Sequence, residues 1–301
     1  MLKVKIKDIE FSSPIIAASG TFGYGDEVSK LVDLSKIGCV ITKSITYENR
    51  DGNDHPRIHE SSSGMLNSIG LANVGVVNFC KEKLPKLNNI KTKFIISIAG
   101  STFEEYQSVL KTIESANGEH VGYEINVSCP NVKAGGMEFG INHDMIFDLV
   151  SELRKLTNKL LIVKLSPNVT DIEKIAASSE RAGADAISAI NTLQGLAIDS
   201  KSGNFLLSTK FGGLSGPAIK PVALAKVFKV YNNVKIPIIG MGGISSVSDI
   251  VEFLRVGSAM VQIGTVNYRE PSLISKLYDQ MLNFMKENNI NKITDLTGDY
   301  K

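Results

Sequence analysis

Eight short apolar runs recur along this chain, most of them followed by a longer segment of mixed polarity. They are PIIAAS (14–19), GCVITKS (38–44), FIISIAG (94–100), YEINVS (123–128), LLIVKLS (160–166), AISAIN (186–191), IPIIGMGG (236–243) and MVQIGT (260–265). Most are continuously apolar, the pattern of parallel strands covered on both faces. Several segments between them are amphipathic at helical spacing. Between 143 and 157, for example, Ile146, Leu149, Val150, Leu153 and Leu156 form one stripe. A length of 301 residues admits one large domain or two smaller ones, so the alternation must decide. Eight β units separated by helices, with no linker rich in Pro, Ser or charge, predict a single (β/α)8 TIM barrel over 1–301 with extended loops at its carboxyl-terminal face. A doubly wound open sheet is the alternative.

Two connections are too long for turns: residues 45–75 after the second run and 192–216 after the sixth. Long irregular segments in a compact domain tend to be functional or disordered. Both leave the carboxyl ends of strands, where barrel enzymes carry their active sites.

Composition narrows the function classes. With 43% hydrophobic residues, 21% charged residues and a formal net charge of +2, the chain offers a sizeable core and no basic field for nucleic acid. Cys39, Cys80 and Cys129 lie far apart and form no C-x-x-C pair, so neither a disulfide framework nor a zinc or iron–sulfur site is expected here. A reducing cytoplasm fits this usage. The start MLKVKIKDIEF lacks the apolar core of a signal peptide, and no apolar run approaches the roughly 18 residues of a membrane span. The four histidines show no metal-like spacing.

The ends of the runs carry polar residues: Ser19, Lys43 and Ser44, Ser97, Asn126 to Cys129, Lys164, Asn191 and Thr192, then Gly242, Gly243, Gly264 and Thr265. Lysine and asparagine are costly to bury in a barrel unless they meet partners or a ligand. Glycines in GGLSG, GMGGI and IGT, placed before segments that look like helix starts, suit a phosphate held by backbone amides. That signal fits a sugar phosphate and a flavin mononucleotide equally. GMGGI lacks the G-x-G-x-x-G spacing, so bound NAD is not expected on this chain. A Schiff-base lyase using Lys164 is also compatible with these residues.

Taken in order, ASGTFGYG, ITKSIT, GMLNSIGLAN, INVSCPNVKAGG, VKLSPN, INTLQG, GGLSGPAIKP and IPIIGMGGI resemble the dihydroorotate dehydrogenases over nearly the whole chain. SCPNVKAGGMEFG and GGLSGPAIKPVAL are most similar to the catalytic subunit of the NAD-linked class 1B enzymes. The resemblance implies an FMN-binding barrel that oxidises (S)-dihydroorotate to orotate in pyrimidine synthesis, with hydride passing from C6 to flavin N5. It implies that Cys129 is the general base at C5. It places Lys43, Asn67, Ser68, Ile69, Gly70, Leu71, Asn126, Asn191 and Thr192 around the substrate. Around the flavin it places Ser19, Lys43, Ser44, Ser97, Asn126, Lys164, Ile190, Gly216, Gly242, Gly243, Gly264 and Thr265. Ser97 departs from the type B pattern, which usually has Asn there; SIAG is a form seen in fumarate-linked class 1A enzymes. With no iron–sulfur cysteine set and no Rossmann fingerprint, the chain lacks its own route to NAD. The type B resemblance accordingly implies an electron-transfer partner subunit carrying FAD and a [2Fe-2S] cluster, in a heterotetramer with two copies of each chain.

Overall fold

The apolar runs close on themselves. In the computed structural model, which describes residues 1–127, 133–134, 137–138, 140 and 142–301, the parallel strands are β1 Ile15–Ala17, β2 Cys39–Ile41, β3 Lys93–Ile98, β4 Gly122–Asn126, β5 Leu160–Leu165, β6 Ala186–Ala189, β7 Ile238–Met241 and β8 Ser258–Ile263. Each pairs with its sequence neighbour, and Val261 to Ile263 of β8 pair with Ile15 to Ala17 of β1. The sheet is therefore a closed (β/α)8 barrel, and the open doubly wound alternative is excluded.

Helices cover the barrel where amphipathic stripes and capping residues coincide. His143–Arg154 starts at Asn142, whose side chain accepts from the amides of Asp144 and Met145. Thr102 and Ser246 cap Phe103–Glu114 and Val247–Arg255 in the same way, each cap contributing about 1 kcal/mol. Ile146, Leu149, Val150 and Leu153 are all 0% exposed, and burying each such side chain stabilises the fold by about 1.5–3 kcal/mol. The amino-terminal mouth is closed by the hairpin Val4–Ile6/Ile9–Phe11. Lys7 at its turn reaches Asn158 O at 2.9 Å and the Asp185 carboxylate, just ahead of β5 and β6, while Val4, Ile6 and Phe11 are buried beneath it.

The two long connections are more ordered than their sequences suggest. Ile58–Ser61 and Gly64–Asn67 from the first join Leu193–Leu196 and Phe211–Ser215 from the second in one four-stranded antiparallel sheet. Its central pairing sets Asn67 beside Gly213 and Met65 beside Ser215. That contact joins segments almost half the chain apart, so no local periodicity announces it.

Candidate active site

One cavity of about 1220 Å³ lies at the carboxyl ends of the strands, roofed by that four-stranded sheet. It is lined from β1 by Ser19 and Gly20, from β2 by Lys43 and Ser44, from β4 by Asn126 and from β5 by Lys164. Ile190, Asn191 and Thr192 enter from β6, Gly242 and Gly243 from β7, and Gly264 and Thr265 from β8. The connections add Asn67 to Leu71 and Gly216. Residues scattered from 19 to 265 thus meet because parallel strands all end on one rim.

A chain of neutral hydrogen bonds crosses the floor. Ser97 and Ser44 hydroxyls lie 2.8 Å apart, Asn126 Nδ2 donates to Ser44 Oγ at 3.2 Å, and Asn191 Nδ2 donates to Asn126 Oδ1 at 3.4 Å. Tyr106, on the helix behind β3, donates its hydroxyl to Asn126 O at 2.8 Å. The chain orients two amides toward the same space. Ser97 is 0% exposed and does not line the cavity; it acts on the wall through Ser44.

The loop from Asn67 to Leu71 is pinned from outside. Asn53 donates through Nδ2 to Ser68 O at 2.9 Å, and its amide donates to Ile69 O. Gly70 has φ +75, and a Cβ there would come within 2.7 Å of Asn53, so glycine is needed for this close approach. Ser68 Oγ is buried with no hydrogen-bond partner among the described residues, the signature of a polar atom waiting for a ligand.

Among the described residues, Lys43, Lys164 and Arg269 are the cations that line the cavity. Burial, reinforced by Arg57, pushes the Lys43 ammonium below the usual lysine range, with Glu27 opposing. Lys164 is 8% exposed along its side chain and sits 3.8 Å from Glu124 Oε1. Glu124, Ser188 and Gln262, which hold hydrogen bonds under Lys164, are site residues that the rim pattern does not reveal. The period of two in YEINVS does place Glu124 on the same side as Asn126. Asn168, which donates to Thr192 O and receives the Gln194 amide, also lines the cavity and was visible in SPN only as part of a motif. Cys129 lies outside the described residues.

A closed parallel barrel whose lysines, amides and glycine loops converge on one carboxyl-end cavity defines the class of barrel enzymes. Comparison with known proteins makes that class specific. The dihydroorotate dehydrogenase family profile matches residues 1–285, and the chain belongs to that family of oxidoreductases. It is 46% identical to the dihydroorotate dehydrogenase B (NAD(+)) catalytic subunit of Geotalea uraniireducens (strain Rf4), over 99% of this chain and 97% of that one. The proteins of the same name from Malacoplasma penetrans (strain HF-2) and Bacteroides thetaiotaomicron are 45% and 43% identical, each over 99% of this chain and 97% and 98% of their own lengths. Among the described residues no helix is long and apolar enough to cross a membrane.

Proposed function

We propose that this chain is the catalytic subunit of an NAD-linked dihydroorotate dehydrogenase, oxidising (S)-dihydroorotate to orotate in cytoplasmic pyrimidine biosynthesis with FMN bound at the barrel's carboxyl ends. The observation that carries the proposal is the single cavity that unites Lys43, the Ser44–Asn126–Asn191 hydrogen-bond chain and the loops after β7 and β8. Bound FMN supplies a hydride acceptor. The residues present fit it: Gly20 has φ +83 and a Cβ there would meet nothing within 4 Å, leaving open space at the cavity wall. Gly242 and Gly243, at φ +132 and +75, let the loop backbone approach a phosphate where a Cβ at Gly243 would strike Gly216 O at 2.8 Å. Ile190 and Met241, both nearly buried, offer an apolar wall for a flat ring.

In this arrangement Lys43 and Ser68 meet the carboxylate and ring oxygens of the substrate, with Asn67, Asn126, Asn191 and Thr192 completing a set of neutral donors and acceptors. Ser19, Ser44 and Lys164 border the flavin ring, and Gly216, Gly264 and Thr265 join Gly242 and Gly243 at its ribityl phosphate. Cys129, in the motif that carries the family resemblance, takes the proton from C5. A free thiol titrates near about 8.5, so turnover should climb toward alkaline pH. The relatives' name, catalytic subunit, supports a second subunit; FAD and a [2Fe-2S] cluster on that partner would complete the path to NAD within a heterotetramer.

The test is an anaerobic visible spectrum of the purified chain before and after dihydroorotate, repeated with Cys129→Ala. The expected result is a flavin band bleached rapidly in the native chain and at least about a hundredfold more slowly in the variant, consistent with the usual worth of a general base. A flavin band that dihydroorotate leaves untouched would overturn the substrate. NAD reduction is expected only after the partner subunit is added.

A further inference from the structure

The barrel interior beneath the cavity holds a carboxylate that the proposed reaction does not use. Glu124 on β4 is 0% exposed. Its Oε2 receives Gln262 Nε2 at 2.6 Å and Ser188 Oγ at 2.9 Å. In the ring of strands β4 and β8 stand opposite one another, so the bond from Gln262 spans the barrel's inside. Oε1 accepts no hydrogen bond among the described residues and faces Lys164 Nζ at 3.8 Å. The strand register explains the layering: Lys164 lies beside Asn126 at the cavity floor, and Glu124 lies beside Ile162 one layer deeper.

Barrel interiors are ordinarily packed with branched apolar side chains, and a buried ion pair is weak support for stability because desolvation offsets its attraction. An apolar side chain at position 124 would fill this space at lower cost. What the carboxylate does provide is an ion-pair partner 3.8 Å from Lys164, which lines the cavity floor. Ser188 and Gln262 hold it by neutral hydrogen bonds, so its charge is not cancelled by them. Lys43, just past the end of β2, and Arg269, beyond β8, are the other cations lining the cavity among the described residues.

We infer that Glu124 is a positioning residue that sets how strongly Lys164 stabilises the reduced cofactor. This rests on FMN binding with Lys164 at its ring, as proposed above, and takes the ring edge nearest Lys164 to be the pyrimidine edge. Two-electron reduction of the flavin, with one proton taken up at N5, leaves negative charge on that edge. Lys164 favours this charge and Glu124 opposes it from below. The carboxylate therefore keeps the flavin a good enough reductant to release its electrons to a partner, where Lys164 alone would hold them.

The experiment is a reductive titration of the FMN-loaded chain at neutral pH with a redox dye, comparing native protein with Glu124→Gln and Glu124→Met. Gln keeps the shape and a hydrogen-bonding oxygen; Met keeps the length and removes all polarity. Both should raise the midpoint potential, by a tenfold or larger increase in the reduced-to-oxidised ratio at fixed potential, which is about 30 mV for a two-electron couple. In stopped flow, reduction by dihydroorotate should persist while reoxidation slows. An unchanged or lowered potential in the variants overturns the inference and leaves the enzyme assignment standing. Loss of FMN from both variants, with the native chain retaining it, makes Glu124 a purely architectural residue and also overturns it. A native chain that takes up no FMN overturns the functional reading itself.

Discussion

His120 shows how a single buried group couples this fold to pH. The histidine precedes β4 and is 3% exposed, with Nε2 2.8 Å from the Tyr123 hydroxyl, which in turn donates to Glu114. Burial, with Lys159 adding, lowers its pKa from 6.5 to about 4. A depressed folded-state value means that the unfolded chain binds the proton first. The stability due to neutral His120 is therefore complete above about 6.5 and is lost progressively as pH falls toward about 4. At 1.36 kcal/mol per pH unit the loss reaches about 3 kcal/mol. Urea denaturation of native chain and His120→Asn across that range should show a steep slope in the first and a shallower one in the second. Sequence spacing alone points to a surface or loop position for this histidine; its burial instead depends on contacts with Tyr123 and Phe94 that the chain makes only when folded.

At the scale of elements, the roof sheet depends on close backbone approach. Gly64 opens the strand Gly64–Asn67, and a Cβ on it would lie 2.1 Å from Ser215 O across the sheet. Neither partner is a flexible side-chain end, so the backbone itself would have to shift. Gly64→Ala should destabilise the chain by about 1–3 kcal/mol, as overpacking typically does, and weaken orotate binding through the displaced Asn67. Thermal unfolding together with orotate titration monitored by flavin absorbance checks this; an unchanged melting temperature and affinity would show that the two connections fold independently. The strands and main helices of the barrel were legible from short-range pattern: apolar runs, caps such as Asn142, and stripes such as Ile146 to Leu153. The roof was not. GMLN and FGGLS carry too little hydrophobic alternation to declare themselves as strands, and their register is set by a partner about 146 residues away.

At the scale of the molecule, the proposed cofactor bridges loops that follow several different strands, so binding should stabilise the whole barrel. A ligand that binds only the native state adds about 2.7 kcal/mol at a hundredfold excess over its Kd, which for a chain of this size corresponds to a rise of about 4–8 °C in Tm. Calorimetry of the chain stripped of FMN and then reloaded measures it, and equal melting temperatures would argue against FMN as the resident group. The sequence by itself determined the barrel and the rim on which the site lies, because eight apolar runs and their polar ends are properties of neighbouring residues, and its motifs, such as SCPNVKAGG and GGLSGPAIKP, carried the family resemblance. Only the tertiary structure decided that Ser97 stands behind Ser44, that two distant connections form one roof, and that Glu124 lies under Lys164. Those facts depend on which strands face each other across a closed ring, and closure is a property of the whole chain that no local stretch encodes.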